Sequence, residues 1–373
     1  MRALLLSLVL ALSCTGARAQ QAPSIVAKAW LLADLTSGQV LAAEKADERF
    51  APASLTKLMT AYVVFGALRE GKLAPTARIQ ISERAWRAAG SRMFVQPGKP
   101  AVADELIFGM LVQSGNDATI ALAEAVAGSE AAFAERMNRE AARLGMHNSN
   151  FINATGLSAA QHFSTARDLH LLSAALIREF PQEYARYFPV REYRYNNITQ
   201  LNRNRLLWLD ASVDGVKTGY IESAGYCQVA SAQRGGRRLL SVVLGTASES
   251  SRAQESQKLL NWGFQHFDGV RLFTGGEAVK TVAVWKGAAE QVHAGFADGL
   301  VVTVPKGQAA KLSAELLTHP PVVAPVARGQ RVGVLRVQLE GKPVGEYPVV
   351  ALESVAVAGF FGRAWDTLRL LFQ

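Results

Sequence analysis

Ser54-Leu55-Thr56-Lys57 opens a stretch, residues 54–70, in which apolar side chains face every side of a predicted helix that Gly71 closes. A helix that is apolar all round is typical of the centre of a domain, so we expect the fold to be built around it. Lys57 is anomalous there, because lysine is almost never fully buried without a partner. A serine and a lysine three residues apart share one helix face, which predicts an amine beside the Ser54 hydroxyl.

This serine–lysine pair predicts nucleophilic chemistry. A serine hydroxyl is a weak nucleophile until a neighbouring base takes its proton, and lysine can be that base if its surroundings keep it neutral. We expect Lys217, a second positive charge, to lower the pKa of Lys57 in this way. Backbone N–H groups at the start of the helix would stabilise the oxyanion that forms when Ser54 attacks a carbonyl.

Two further motifs follow in the chain. Ser114-Gly115-Asn116 begins 60 residues after Ser54, and Lys217-Thr218-Gly219 begins 103 residues after Ser114. Each motif alone is typical of an ordinary turn or strand end, but the three in this order form a strong signal.

These motifs carry groups suited to a reaction at a carbonyl. Ser114 could relay a proton, and the Asn116 amide could hydrogen-bond to the Lys57 amine. Lys217 and Thr218 offer a charge and a donor to a substrate carboxylate. Gly219, at a predicted strand end, would let a substrate backbone lie against the strand.

The pattern of apolar residues predicts an α+β fold. A hairpin within residues 24–41 precedes the central helix, a mainly helical region covers 81–180, and three antiparallel strands and a helix over 255–267 follow. This order implies an antiparallel sheet flanked by helices, with an inserted helical cluster. After Asp268 the pattern predicts only strands, which indicates a small all-β C-terminal domain. The predicted strands are 215–219, 226–232, 239–245, 281–285, 299–304, 331–340 and 347–352.

Composition limits the class of function. The chain has 373 residues, of which 49% are hydrophobic and 19% charged, so it is globular rather than disordered. Its net charge of +9 is spread without a basic block, which argues against a nucleic-acid partner. The six histidines show no metal-ligand spacing, and no glycine-rich phosphate loop is present, so we expect neither a metal nor another cofactor.

Both ends of the chain predict a place at a membrane. Residues 1–19 carry Arg2, an apolar run and the small-residue site Ala17-Arg18-Ala19, as a signal peptide does; a lipoprotein signal at Cys14 is the alternative. Residues 356–373 predict an amphipathic membrane-anchor helix, with docking on the β domain as the alternative. The predicted domains are therefore a signal peptide (1–19), a catalytic domain (20–267), an all-β domain (268–355) and the anchor helix.

Four segments resemble type-5 D-alanyl-D-alanine carboxypeptidases, low-molecular-mass penicillin-binding proteins with a catalytic domain of the β-lactamase/DD-peptidase type. The resemblance covers nearly all of the mature chain. It implies that Ser54 is the acyl-ester nucleophile, that Lys57 accepts its proton, and that the Ser114 motif completes the cleft. The segments are residues 53–60, 111–117, 201–204 and 214–219.

The resemblance also implies how substrate is bound. Lys217, Thr218 and Arg252 would bind the terminal carboxylate, and the backbone N–H groups of Ser54 and Tyr220 would form the oxyanion hole. Tyr220 departs from the family, which often has histidine there. Residues 153–157 lack the histidine that is common before Gly-Leu, and residues 160–163 replace another stretch typical of the family, in a loop that lies near the cleft in relatives.

The implied function is an exported serine peptidase that removes the terminal D-alanine from peptidoglycan pentapeptide stems and is acylated by β-lactams. It would act at the periplasmic face of the inner membrane, on whose surface the C-terminal helix would lie. Three alternatives stay open: a β-lactamase, a penicillin-binding wall scaffold with little turnover, and a D,D-endopeptidase. Gly115, where class A β-lactamases have aspartate, argues against the first.

Overall fold

The computed structural model of the chain describes residues 21–318 and 321–359. The first elements are β1 (Ala29–Asp34), β2 (Gln39–Glu44), the 3₁₀ turn Ala53–Thr56, α1 (Lys57–Arg69), β3 (Arg78–Ile79), α2 (Glu83–Trp86), β4 (Ala101–Val102), α3 (Ala103–Val112), α4 (Asn116–Ala127), α5 (Glu130–Arg143), α6 (Ala166–Glu179), α7 (Pro181–Tyr187), β5 (Glu192–Tyr195), β6 (Ile198–Leu201), α8 (Leu206–Leu209), β7 (Val213–Ile221), β8 (Gly225–Arg234), β9 (Arg237–Thr246) and α9 (Glu249–His266). They are followed by β10 (Phe267–Phe273), β11 (Ala278–Trp285), β12 (Gln291–Gly295), β13 (Leu300–Pro305), the 3₁₀ turn Ala309–Lys311, β14 (Leu312–Thr318), β15 (Val322–Val323), β16 (Arg331–Leu339) and β17 (Lys342–Ala351).

A five-stranded antiparallel sheet in the order β2-β1-β9-β8-β7 lies at the centre of the first unit. Alternate residues of β1 face opposite sides: Leu31 packs into the core that contains α1, and Leu32 into the core that contains α9. Both sides of the sheet are therefore covered by helices. The predicted hairpin between β8 and β9 is confirmed, with Gly235 and Gly236 in its turn both at positive φ.

The central helix is buried as the sequence predicts, but its start differs. The chain enters through the 3₁₀ turn Ala53–Thr56, and the α-helix begins only at Lys57. Ala53 has a φ of 48°, and Gly156 lies so close to this turn that a Cβ there would come within 1.7 Å of the Ala53 carbonyl oxygen. Packing against residues 153–157 thus shapes the turn, and a sequence window around Ser54 does not contain that information.

Two other predictions near the sheet are wrong in their limits. Lys217-Thr218-Gly219 lies inside β7, because Tyr220 and Ile221 continue the pairing with β8. The helix predicted over 255–267 begins at Glu249, where the Ser248 hydroxyl accepts a hydrogen bond from the Ser251 N–H and caps it. The short hairpin β5–β6 lies between the predicted helical region, 81–180, and the first predicted strand, where the sequence predicted no element.

The last part of the described chain consists of strands, with one 3₁₀ turn. Strands β10 and β13 pair, and a second sheet has the order β14-β16-β17-β12-β11-β15. Leu335 and Val337 of β16 are buried while Arg336 between them is half-buried, as the alternating sequence predicts. The predicted α+β class, a sheet flanked by helices with an all-β C-terminal part, is confirmed.

A buried carboxylate joins the two parts. Asp34, at the end of β1, accepts hydrogen bonds from Arg237 Nε at 2.5 Å and from Thr303 Oγ1 of β13 at 2.7 Å. The Thr303 N–H donates to Gln39 Oε1 at 2.6 Å, and Gln39 Nε2 donates to the Thr303 carbonyl at 3.2 Å. Asp34 is fully buried, so these hydrogen bonds offset the free-energy cost of removing its carboxyl group from water.

Both predicted membrane segments fall largely outside the described residues. Residues 1–19 lie outside entirely, and of residues 356–373 only 356–359 are described. Among the helices of residues 21–318 and 321–359, none has the length and apolar character that crossing a bilayer requires.

Candidate active site

Ser54 lies on the 3₁₀ turn that precedes α1, half-buried in the wall of a cleft of about 310 Å³. The opposite side of this cleft is the edge strand β7 with the first turn of α9 behind it. The lining residues on which the chemistry depends are Ser54, Ser114, Arg203, Thr218, Tyr220 and Arg252. A larger concavity of about 640 Å³ lies beside α1 and α5, and its lining residues belong to none of the three motifs.

Lys57 makes three contacts through its amine although the side chain is completely buried. Its Nζ lies 3.1 Å from Ser54 Oγ, 2.7 Å from Asn116 Oδ1 and 2.7 Å from the Thr155 carbonyl oxygen. The two carbonyl-type oxygens can only accept, so a neutral amine donates its two N–H bonds to them and directs its lone pair toward Ser54 Oγ. This geometry suits an amine that accepts the Ser54 proton.

Burial is the main reason why Lys57 can be neutral. Burial first, and then the positive charge of Arg203, lower the pKa of this amine from 10.5 to about 7, although the charge of Asp117 acts in the opposite direction. The prediction that Lys217 has this role is wrong. The pKa of Lys217 is itself held well below 10.5, first by burial and then by the charge of Lys57.

The Ser114 motif reaches the same place from the start of α4. Asn116 donates through Nδ2 to the Ala89 carbonyl at 2.6 Å, which fixes the side-chain oxygen toward Lys57. Ser114 has a φ of 65°, and its buried hydroxyl has no hydrogen-bond partner among the described residues. A buried hydroxyl without a partner is costly, and this one lines the cleft, so a bound group can hydrogen-bond to it.

Gly219 has a steric role besides the predicted one, which stays a prediction. A Cβ at this position would lie 3.1 Å from the Pro52 carbonyl oxygen and 3.3 Å from the Leu55 nitrogen. Glycine is therefore needed so that the turn carrying Ser54 can approach β7. The strand itself is an edge of the sheet, so part of its backbone is free to pair with a bound peptide.

Arg252 comes from α9 and is almost fully buried behind the edge strand. Its guanidinium donates to the Gly219 carbonyl at 3.4 Å and to Glu249 Oε1 at 3.2 Å, and it lies 5.6 Å from the ring centre of Tyr226. The Tyr226 ring is in turn 4.3 Å from that of Tyr220, which is half exposed at the rim of the cleft. The structure thus brings Arg252 to the motifs, and the use of the Tyr220 N–H in an oxyanion hole stays a prediction.

Two features of the site were not predicted from the sequence: the contact between His162 and Thr56, and the charge of Arg203 near Lys57. His162 is buried, accepts a hydrogen bond from the Ile152 N–H at its Nδ1, and lies 2.9 Å through Nε2 from Thr56 Oγ1. Burial lowers the pKa of this imidazole to about 4, so it is neutral and donates to Thr56. Arg203 was part of a family segment but had no predicted role. No local spacing links His162 to Thr56, which is 106 residues earlier in the chain, or Arg203 to Lys57, on which its charge acts.

The departure at residues 153–157 concerns a side chain, whereas the contact with Lys57 is made by the backbone. The Thr155 carbonyl oxygen accepts a hydrogen bond from the Lys57 amine, and Thr60 Oγ1 donates to the neighbouring Ala154 carbonyl at 2.6 Å. The missing histidine therefore removes no bond to Lys57. In the described part of the chain no cluster of three or more His, Cys, Asp or Glu is arranged to hold a metal ion.

Comparisons with known proteins agree with this geometry. Residues 16–248 match the model of the D-alanyl-D-alanine carboxypeptidase family, and residues 267–357 match the C-terminal domain of penicillin-binding protein 5. The chain is 44% identical to D-alanyl-D-alanine carboxypeptidase DacC of Escherichia coli K12, over 95% of this chain and 90% of that protein.

Solved structures give the same result. Penicillin-binding protein 5 from Haemophilus influenzae is 37% identical and superimposes with a TM-score of 0.84 over 90% of this chain and 99% of its own. Penicillin-binding protein D2 from Listeria monocytogenes, solved in an ampicillin-bound form, is 30% identical with a TM-score of 0.61 over 66% of this chain and 100% of its own. The chain therefore belongs to the D-alanyl-D-alanine carboxypeptidase family of serine peptidases.

Proposed function

We propose that this protein is a serine-type D-alanyl-D-alanine carboxypeptidase that removes the terminal D-alanine from peptidoglycan pentapeptide stems. The observation that carries the proposal is the Lys57 amine, held by two carbonyl-type acceptors so that its lone pair faces Ser54 Oγ. With a pKa lowered to about 7, this amine is a base at neutral pH.

Acylation follows from these positions. Lys57 takes the Ser54 proton as Oγ bonds to the carbonyl carbon of the penultimate D-alanine, and backbone N–H groups stabilise the resulting oxyanion. When this intermediate collapses, the C–N bond breaks and the leaving amine takes a proton from Lys57. The unpartnered Ser114 hydroxyl is suited to relay it. D-Alanine then leaves, and the acyl-enzyme remains on Ser54.

Deacylation repeats the same steps with water. Lys57 takes a proton from the attacking water, the ester bond to Ser54 Oγ breaks, and the serine regains the proton. The Lys57 amine bonds to the Thr155 carbonyl although the residue before Gly156 is threonine in this chain. The base that deacylation needs is therefore in place, which favours a carboxypeptidase over a scaffold that is only acylated.

The substrate carboxylate has a cationic place to bind. Arg252, Lys217 and the exposed Arg203 lie around the cleft, and Thr218 adds a hydroxyl. In the empty cleft their charges disfavour one another, since the pKa values of Lys217 and Arg252 are both lowered by burial and by neighbouring cations. A bound carboxylate relieves that repulsion, which favours substrates with a free C-terminus.

β-Lactams are proposed as covalent inhibitors of the same serine. A penicillin carries a reactive carbonyl and a carboxylate, the two groups for which the cleft has Ser54 and Arg252. A relative of the same family has been solved in an ampicillin-bound form. We expect the acyl-enzyme to be hydrolysed slowly, because opening of the β-lactam ring leaves the departing amine tethered to the acyl group, where it stays in the way of the attacking water.

We also propose that the protein is exported and held at the periplasmic face of the inner membrane, without a nucleic-acid partner. The sequence of residues 1–19, the amphipathic pattern of residues 356–373 and the diffuse charge of +9 support this. Deletion of residues 360–373 is expected to abolish sedimentation with anionic vesicles and to leave peptidase activity unchanged. Retention by the vesicles would contradict the anchor.

The testing experiment is release of D-alanine from diacetyl-L-lysyl-D-alanyl-D-alanine by residues 20–373, with Ser54→Ala as the control. We expect release that depends wholly on Ser54. Penicillin labelling of Ser54 without release would indicate the scaffold, and cleavage of only a cross-linked muropeptide dimer would indicate an endopeptidase. Rapid turnover of nitrocefin would indicate a β-lactamase.

A further inference from the structure

Glu249 is the acidic residue among those that line the cleft, and the proposed reaction does not use it. It is the first residue of α9, directly after the capping Ser248. Its side chain is 54% exposed, whereas that of its partner Arg252 is 3% exposed. A negative charge at the mouth of a cleft built for an anionic peptide end asks for a functional explanation.

The position of Glu249 is defined by the arginine that it contacts. Glu249 Oε1 lies 3.2 Å from Arg252 Nη2, longer than is usual for a charge-assisted hydrogen bond. If the substrate carboxylate binds Arg252, the Cα of the terminal residue lies within about 5 Å of the same guanidinium, from ordinary bond lengths and hydrogen-bond distances. Glu249 and the side chain of the terminal residue are then neighbours.

We propose that Glu249 selects the terminal residue of the substrate by charge, favouring a D-amino acid with a cationic side chain and disfavouring one with an anionic side chain. The inference rests on the proposed carboxypeptidase function and on Arg252 as the carboxylate ligand. A lysine-length side chain can reach the Glu249 carboxylate, which substrate binding partly releases from Arg252. An acidic side chain would add a third negative charge beside one guanidinium.

The effect is limited by solvent, because Glu249 is half exposed and its interactions are screened. We therefore expect changes of about three- to tenfold per substrate in kcat/KM, typical of one exposed charge pair. High salt should reduce them.

The test compares three peptides, diacetyl-L-lysyl-D-alanyl-D-X with X as alanine, lysine or glutamate, on wild type and Glu249→Gln. In Glu249→Gln we expect the ratio of kcat/KM for D-lysine to that for D-glutamate to fall about tenfold or more. In Glu249→Lys the ratio should fall further, so that D-glutamate becomes the preferred terminal residue. Any effect of the substitution on the orientation of Arg252 is common to all three peptides and cancels in this ratio.

Glu135→Gln is the matched control, because Glu135 is an exposed glutamate paired with Arg139 on α5 and does not line the cleft. Its ratio should equal that of wild type. An unchanged ratio in Glu249→Gln, with D-Ala-D-Ala still cleaved, overturns the inference and leaves the proposed function standing. If wild type releases no D-residue from any peptide in a Ser54-dependent manner, the proposed function is overturned and the inference with it.

Discussion

Replacing Lys57 by methionine should abolish acylation. It should also remove the loss of stability that wild type undergoes as the pH falls from 10.5 to about 7. Methionine is close to lysine in length and carries no charge, so it fits the buried site without a proton to lose. In the native wild type, burial lowers the pKa of Lys57 from 10.5 to about 7. In the unfolded chain the same amine keeps its ordinary pKa.

The sign follows from proton binding. Between pH 10.5 and about 7 the unfolded chain holds a proton on Lys57 and the native protein does not, so the stability of wild type falls as the pH falls. The slope is about 1.4 kcal/mol per pH unit, and over the whole window the loss reaches about 5 kcal/mol. Methionine also leaves Asn116 Oδ1 and the Thr155 carbonyl without the amine, but that cost does not depend on pH.

The assay is urea unfolding of wild type and Lys57→Met between pH 7.5 and 9.5, followed by the fluorescence of buried Trp30 and Trp262 beside the central sheet. The free energy of unfolding of wild type relative to the variant should drop by about 3 kcal/mol from pH 9.5 to pH 7.5. Lys217 is present in both proteins, and burial, the first cause of its lowered pKa, is common to both. A difference that stays constant across this range would refute a lowered pKa of Lys57.

Two kinetic predictions follow from the same site. Acylation of Ser54 by a fluorescent penicillin should fall about tenfold per pH unit below pH 7, because only neutral Lys57 accepts the proton; a rate that is flat from pH 5 to pH 8 would contradict this. His162→Ala should slow acylation about tenfold by freeing the turn at Thr56, and His162→Gln, which keeps a donor and an acceptor, should restore most of the rate. His170→Ala, which removes another buried histidine, is the control, and an equal loss there would show a general packing effect instead.

The chemistry of the site was largely readable from the chain, because it depends on local spacing. The Ser54–Lys57 spacing and a lysine inside an apolar helix are local facts, and the structure places both side chains together. Burial, the main cause of the lowered pKa of Lys57, was readable from the apolar helix, but the charge that adds to it, that of Arg203, was not, since its position comes from packing of distant segments. The expected role of Lys217 was wrong for that reason.

The missed features share a physical cause. His162 and Thr56 are 106 residues apart, and no periodicity links them. The hairpin β5–β6 is short, with only four residues in each strand. Tyr193 and Tyr195 of β5 alternate with polar residues and are half-buried, and the turn that follows is Asn196-Asn197, with both residues at positive φ. This alternation and the Asn-Asn pair were the signals that could have identified it. Arg252 was identified through the family resemblance and not through its spacing.

The bonds between Asp34 and Thr303 mean that the two parts of this chain are not independent modules. A protein cut after α9 would keep every residue of the cleft, yet Asp34 would lose one of its donors and its cover from water. The loss of stability would begin at the end of β1, where Asp34 lies, and extend to the neighbouring strand β9. Faster hydrogen exchange of the β1 and β9 amides in such a truncated protein would reveal it. Truncation would therefore first shorten the time for which the protein stays folded, while the chemistry of a single turnover stays intact.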